Sequence, residues 1–166
     1  MPNLARLTPP PSASGRLGAH AFSLFHGLNR ALDALQPVTV LVARGYVAEA
    51  FFKSGLTKLR DWDTTLALFH DEYKVPLLPA DLAAVLGTGG ELFLPVLLLL
   101  GLGGRVGALG LSVINVVAVL SLVDIAPTAL QQHITWGVLL AGVVVFGSGR
   151  WALDGWMLRR WPMLSR

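Results

Sequence analysis

Apolar residues in this chain come in long runs, separated by short polar breaks. Four runs, at about 38–58, 82–102, 105–123 and 130–147, approach or reach the length of about 20 residues that a helix needs to cross a bilayer's hydrocarbon core. The second holds one charge, Glu91, and the third has only Arg105 at its start. The fourth keeps its polar residues, Gln131, Gln132 and His133, in its first half. The first carries Arg44, Glu49, Lys53 and Lys58, yet it is otherwise apolar throughout. The pattern predicts an all-α integral membrane protein built as a four-transmembrane-helix bundle.

The breaks carry patterns of their own. Residues 1–16 are rich in proline and serine and are expected to be disordered. Over 17–36, Leu17, Ala21, Leu24, Phe25, Leu28, Leu32 and Leu35 recur at helical spacing, which predicts an amphipathic helix on the membrane surface, ending before Pro37. In the loop 59–79, Trp62, Leu66, Phe69 and Tyr73 share one helix face, opposite Asp63, His70, Asp71 and Lys74. VPLLP then breaks that helix. It reads as an interfacial cap over the bundle, with a docking surface as the alternative. The four-span core occupies 37–149. The tail, 150–166, interleaves Trp151, Trp156 and Trp161 with arginines, a composition suited to the headgroup region.

Composition narrows the class. The chain is 54% hydrophobic and only 14% charged, far from an ordinary soluble domain, so the expected medium is the lipid bilayer. With no cysteine, disulfides and thiolate metal sites are excluded. A net charge of +3 does not point to nucleic acid, because the basic residues lie outside the apolar runs. Arg6, Arg16 and Arg30 precede the first run, Arg105 sits in the turn after the second, and Arg150, Arg159, Arg160 and Arg166 follow the fourth. On the opposite side, the long loop holds Lys58, Arg60 and Lys74 against Asp61, Asp63, Asp71, Glu72 and Asp81, and the last turn has no basic residue. Positive charge marks the cytoplasmic side, so both termini are expected in the cytoplasm, as four spans require.

Ionisable residues at mid-membrane are candidates for function. Glu49, Glu91 and Asn115 fall at similar central depth, Lys53 lies one turn from Glu49, and His133 starts the fourth run. The expected site is an ionic cluster in which Lys53 bridges Glu49 and Glu91, with Asn115 and His133 adding hydrogen bonds. Arg44 and Lys58, on roughly the other face and nearer the ends, are expected to snorkel. Three readings stay open: a lock on helix register, a site for a quinone-like amphiphile or a proton relay, and contact with a partner's helix. No metal centre is expected, since one intramembrane histidine offers no ligand spacing. Glycines at 87, 89, 90, 101, 103, 104, 107 and 110 predict close helix approach, and Pro95 a kink one turn after Glu91.

The order Arg44, then Lys53-Ser54-Gly55 and Lys58-Leu59, then YKVPLLP, mid-run Glu91, the turn GLGGR, HITW and the closing GSGRWALD resembles the DoxX family over about 38–156. Family-like positions are Arg44, Gly55, Lys58, Glu91, His133, Trp136, Gly147, Gly149 and Asp154. The resemblance implies a small four-helix protein of a bacterial inner membrane, a subunit supporting a quinone-linked or oxidative-stress process beside a membrane partner. It implies no cofactor of the chain's own, with a quinone or bound lipid as the ligand class. Absent cysteines set direct thiolate chemistry aside. The alternatives are a non-catalytic anchor or assembly protein, a homo-oligomer among them, and a small transporter or proton path.

Overall fold

The computed structural model describes residues 13–160, all helix, turn and loop apart from one isolated β-bridge. Six helices follow in order: α1 (Ala13–Arg60), α2 (Trp62–Asp71), α3 (Ala80–Leu100), α4 (Gly104–Ser121), α5 (Pro127–Phe146) and α6 (Leu153–Arg160). Three of them, α3, α4 and α5, are long and apolar enough to cross a membrane. The apolar half of α1 is not among these.

Two compact units divide between Gln36 and Pro37. In the first, Phe22, Leu24, Phe25, Leu28, Leu32 and Leu35 are exposed, and the His26 ring sits edge-on to Phe22 at 4.1 Å. The side chains of Leu17 and Ala21, the start of the predicted stripe, lie outside the description, as do residues 1–12 of the segment expected to be disordered. Residues 13–16 of that segment are helical. The helix also does not stop before Pro37 but continues through it. Proline removes one hydrogen bond, to the carbonyl of Asp33, at a cost of about 3 kcal/mol. Beyond it, the helix pairs the backbone groups of VTVLVARGYVAEAFF within the segment.

In the second unit, α1, α3 and α4 each bury one narrow stripe that recurs at helical spacing. On α1 it is Arg44, Val47, Ala48, Phe51 and Gly55; on α3, Ala84, Thr88, Glu91, Pro95 and Leu98; on α4, Gly104, Gly107, Ala108, Leu111 and Asn115. Val47, Phe51, Leu98, Leu111, Leu140 and Val143 form the apolar core. The outward faces are equally apolar: Phe93, Val113, Val116, Leu120, Val138 and Val145 are exposed. A soluble bundle would place polar residues there, so these faces fit hydrocarbon. Close approach is real at Gly107, where a Cβ would lie 3.1 Å from the Leu98 backbone nitrogen, but Gly89 faces open space.

Short connections end the helices. Asp61 caps α2, accepting from the Thr64 N–H at 3.0 Å, and α2 packs Phe69 against Ala83 and Ala84 of α3. At the other end of α3, Gly101 takes the left-handed conformation at φ 69°, and its N–H donates to Leu97 O. The segment read as a tail, 150–166, contains α6 (Leu153–Arg160). Ala152 is buried, Asp154 N donates to Gly101 O at 3.2 Å, and α6 follows; Trp161 lies outside the described residues. Replacing Gly101 with alanine forces a positive φ on an L-residue and puts a Cβ 2.6 Å from that of Ala152 and 2.7 Å from Arg44 Nη2. Left-handed strain of about 1–2 kcal/mol and overpacking of about 1–3 kcal/mol should add. A detergent melting curve of Gly101→Ala should show a drop of several degrees, while Gly142→Ala, with nothing within 4 Å, should melt close to wild type.

Candidate functional site

Two ends of the bundle collect the polar side chains, and helix periodicity decides which residues reach them. Five positions along a helix turn a side chain by about 140°. Lys53 and Lys58 therefore cannot both face inward. Lys58 continues the stripe Arg44, Ala48, Phe51, Gly55, whereas Glu49 and Lys53 lie on another with Val42, Tyr46 and Leu56.

The ionic cluster accordingly differs from the expected one. Lys53 Nζ pairs with Glu49 at 2.6 Å, but both side chains are exposed, at 72% and 62%, and neither meets Glu91. Glu91 instead receives Lys58 Nζ at 2.5 Å, with side chains only 10% and 19% exposed. Lys58 also donates to Ser54 Oγ at 2.9 Å. A lysine on a helix points back toward the N-terminus, so Lys58 reaches a level about one turn deeper than its Cα and does not snorkel outward. Gly55 permits the pairing: a Cβ there would lie 2.9 Å from Leu92 Cγ and 3.1 Å from Glu91 Cβ.

Beside this pair, Asn115 Nδ2 donates to the backbone carbonyl of His133 at 2.9 Å, and Asn115 Oδ1 meets His133 Nδ1 at 2.8 Å. The carbonyl can only accept, which sets the amide orientation. Oδ1 can then only accept as well, so Nδ1 carries the proton in this contact. In the neutral ring that leaves Nε2 with a free lone pair. Trp136, one turn on, holds the ring edge-on at 5.1 Å and meets Phe51 of α1 at 5.3 Å. Its Nε1 and the hydroxyl of Thr88 are buried without a hydrogen-bond partner.

Glu91, Lys58, Ser54, Tyr73 and His133 open onto one cavity of about 370 Å³. Its remaining wall is mostly apolar, including Phe69, Leu86, Ile114 and Val117. The loops close its far side: Tyr73 forms an isolated bridge with Leu122, and Lys74 N donates to Ser121 O at 2.8 Å. Tyr73 was legible only as an apolar face of the loop helix. Its second role depends on the turn after α2, which brings its ring to the cavity. Burial, with the charges of Glu72 and Glu91, pushes the Tyr73 phenol above its ordinary pKa.

At the opposite end Arg44 is buried, 1% exposed. Nε donates to Leu98 O at 2.7 Å, Nη1 to Ser148 O at 2.7 Å and Nη2 to Leu99 O. It too does not snorkel; the guanidinium meets carbonyls at the C-terminal end of α3 and just after α5. Asp154 complements it, accepting from Gly103 N at 2.9 Å and Gly104 N at 3.3 Å at the start of α4. Gly147 and Gly149 supply positive φ in the turn between them, and a Cβ on Gly149 would stand 3.2 Å from Val40. These residues form a structural knot, separate from the cavity.

The DoxX family model matches residues 39–124, which include Arg44, Gly55, Lys58 and Glu91. An uncharacterized protein of Haemophilus influenzae is 29% identical over 137 residues, covering 77% of this chain and 89% of that one. No solved structure matches.

The charge of Glu91 disfavours a phenolate at Tyr73, so removing it should lower the phenol's pKa. In a Tyr46→Phe background, which leaves Tyr73 as the chain's one tyrosine, alkaline absorbance titration should give a midpoint above about 10. Glu91→Gln should move that midpoint down.

Proposed function

The chain belongs to the DoxX family, and on that premise we propose that it is a four-span inner-membrane subunit holding the polar head of a quinone-class amphiphile in the cavity beside Glu91. The observation that carries this reading is a nearly buried Lys58–Glu91 pair opening onto an apolar-walled space. A pair that only locked helix register would need no space beside it. About 370 Å³ lies at the lower end of small-molecule sites, enough for a substituted ring but not for a long isoprenoid tail. Lys58 offers a donor to a ring carbonyl, and His133 Nε2 offers an acceptor to a ring hydroxyl. Oxidised and reduced heads would both find partners. The chain's own part is to bind and orient that head, while a partner protein in the membrane carries out the electron transfer.

The fourth span in this reading is the second half of α1, whose inward charges are all satisfied by neighbouring helices. The positive flanks, Arg30 before it, Arg105 in the α3–α4 turn and Arg150 after α5, support an orientation with both ends in the cytoplasm. The cavity then opens toward the outer half of the bilayer. The exposed apolar side chains from Phe22 to Leu35 support a second role, in which this segment lies on the inner surface and anchors an assembly.

Binding of decylubiquinone and its reduced form to the protein in nanodiscs, followed by tryptophan quenching, tests the reading. Saturable quenching is expected, weakened at least tenfold by Glu91→Gln and by Lys58→Met, with melting temperatures within a few degrees of wild type. No saturable binding, or equal affinity in all three proteins, would overturn it. Unchanged affinity with a much lower melting temperature would assign Glu91 to structure alone.

A further inference from the structure

The Glu49–Lys53 pair faces away from the core in the middle of a segment read above as membrane-spanning, and this inference rests on that reading. From residue 38 to Glu49 is about 17 Å along the helix axis at 1.5 Å per residue, roughly half the hydrocarbon thickness. Snorkelling is limited there, because both ends of the bilayer are about equally far. Ionic groups in lipid are expensive and normally turn toward protein or water. Away from their ends, α3, α4 and α5 expose no charged side chain, and Val113, Val116 and Val138 are typical of their outward faces. The one outward ion pair is thus an exception to the rule the rest of the surface follows.

The pair also has a pattern around it. Val42, Tyr46, Glu49, Lys53 and Leu56 follow at spacings of four, three, four and three residues, and all five are exposed. That is the spacing found where two helices pack side by side, with apolar positions flanking a polar centre, and Tyr46 Oη also accepts from Gln132 of α5 at 2.8 Å. We propose that this face of α1 is the contact between two copies of the chain, related by a twofold axis along the membrane normal. In such a parallel pair the partner's Lys53 lies one turn from Glu49, and the reverse holds by symmetry. The two Glu49 carboxylates are level with each other across the axis, and the Lys53 ammonium groups, reaching back about one turn, alternate with them around it. Four charges close into a neutral ring shielded from lipid. The stripe is self-complementary, so it needs no second protein, and a buried polar centre in an apolar seam sets register.

The natural chain has no cysteine, so single cysteines report on the seam directly. In native membranes, Val42→Cys and Leu56→Cys should form disulfide-linked dimers on mild oxidation, while Val113→Cys and Val138→Cys should not. Charge exchange tests the ring itself. Glu49→Lys alone and Lys53→Glu alone should each run as monomers in native mass spectrometry from nanodiscs, and co-expression of the two should restore a mixed dimer. A wild-type monomer, crosslinking no greater at Val42 and Leu56 than at Val113, or failure of the mixed pair to assemble would overturn the proposal. Labelling of a Glu49→Cys variant by an impermeant maleimide applied to either side separates the two readings. Rapid labelling would remove α1 from the membrane and overturn the span, whereas protection with monomeric protein would overturn the dimer alone.

Discussion

A single buried guanidinium holds the helices of this bundle to one another. Arg44 enters from α1 and spends its donors on three carbonyls, two at the end of α3 and one after α5. Leu98 O also accepts from the capping Gly101 N–H at 3.2 Å, but carbonyls at a helix C-terminus lack their full set of intrahelical donors. Arginine suits the position because its donors form a fixed planar fork that addresses separate oxygens at once. Everything local to this end follows from that demand. Gly101 must turn left-handed and stay bare to admit the fork, and the turn at Gly147 to Gly149 must present Ser148 O to it. Asp154 then satisfies the start of α4 with charge of the opposite sign.

The same constraint acts at the other end with a different result. Lys58 lies 14 residues beyond Arg44, about 21 Å along α1 and on nearly the same face. There the cation meets a carboxylate rather than carbonyls, and both groups remain beside open space. A buried guanidinium bound to carbonyls at one end and an accessible ion pair at the other distinguish a part that holds shape from a part with an apolar-walled cavity. The short helix α2 belongs to the second part. Its apolar face covers Ala83 and Ala84, and the turn after it delivers Tyr73 to the cavity, where the β-bridge to Leu122 ties the two loops together. The cap expected over the bundle is thus, in structural terms, a wall of the cavity.

Much of the architecture was legible without coordinates. Runs of apolar residues set the helices α3, α4 and α5 to within a few residues, because length and composition alone decide whether a segment suits hydrocarbon. The periodic face of α2 and its proline stop were legible for the same local reason. Pro37 was misread as a terminus, since a proline rule learned in water overstates what one lost hydrogen bond can do within an otherwise apolar helix. The ionic cluster was misread through depth. Glu49 lies at the level of Glu91 by residue count, with Lys53 one turn away, but level says nothing about direction. The stripe Arg44, Ala48, Phe51, Gly55, Lys58 was present in the sequence and would have chosen the correct lysine, had side-chain reach back along the helix been weighed with it.

By itself, then, the sequence determined the medium, the helices and the set of charges that the fold had to satisfy, because each depends on residues near one another in the chain. Only the tertiary structure decided which charge met which. Lys58 and Glu91 are 33 positions apart, and Arg44 and Ser148 are 104 apart. Their pairing depends on the rotation of α1 about its own axis, and that rotation is set by Gly55 against Leu92 and by Phe51 against Trp136. Those are contacts of shape between distant segments, which no local pattern encodes.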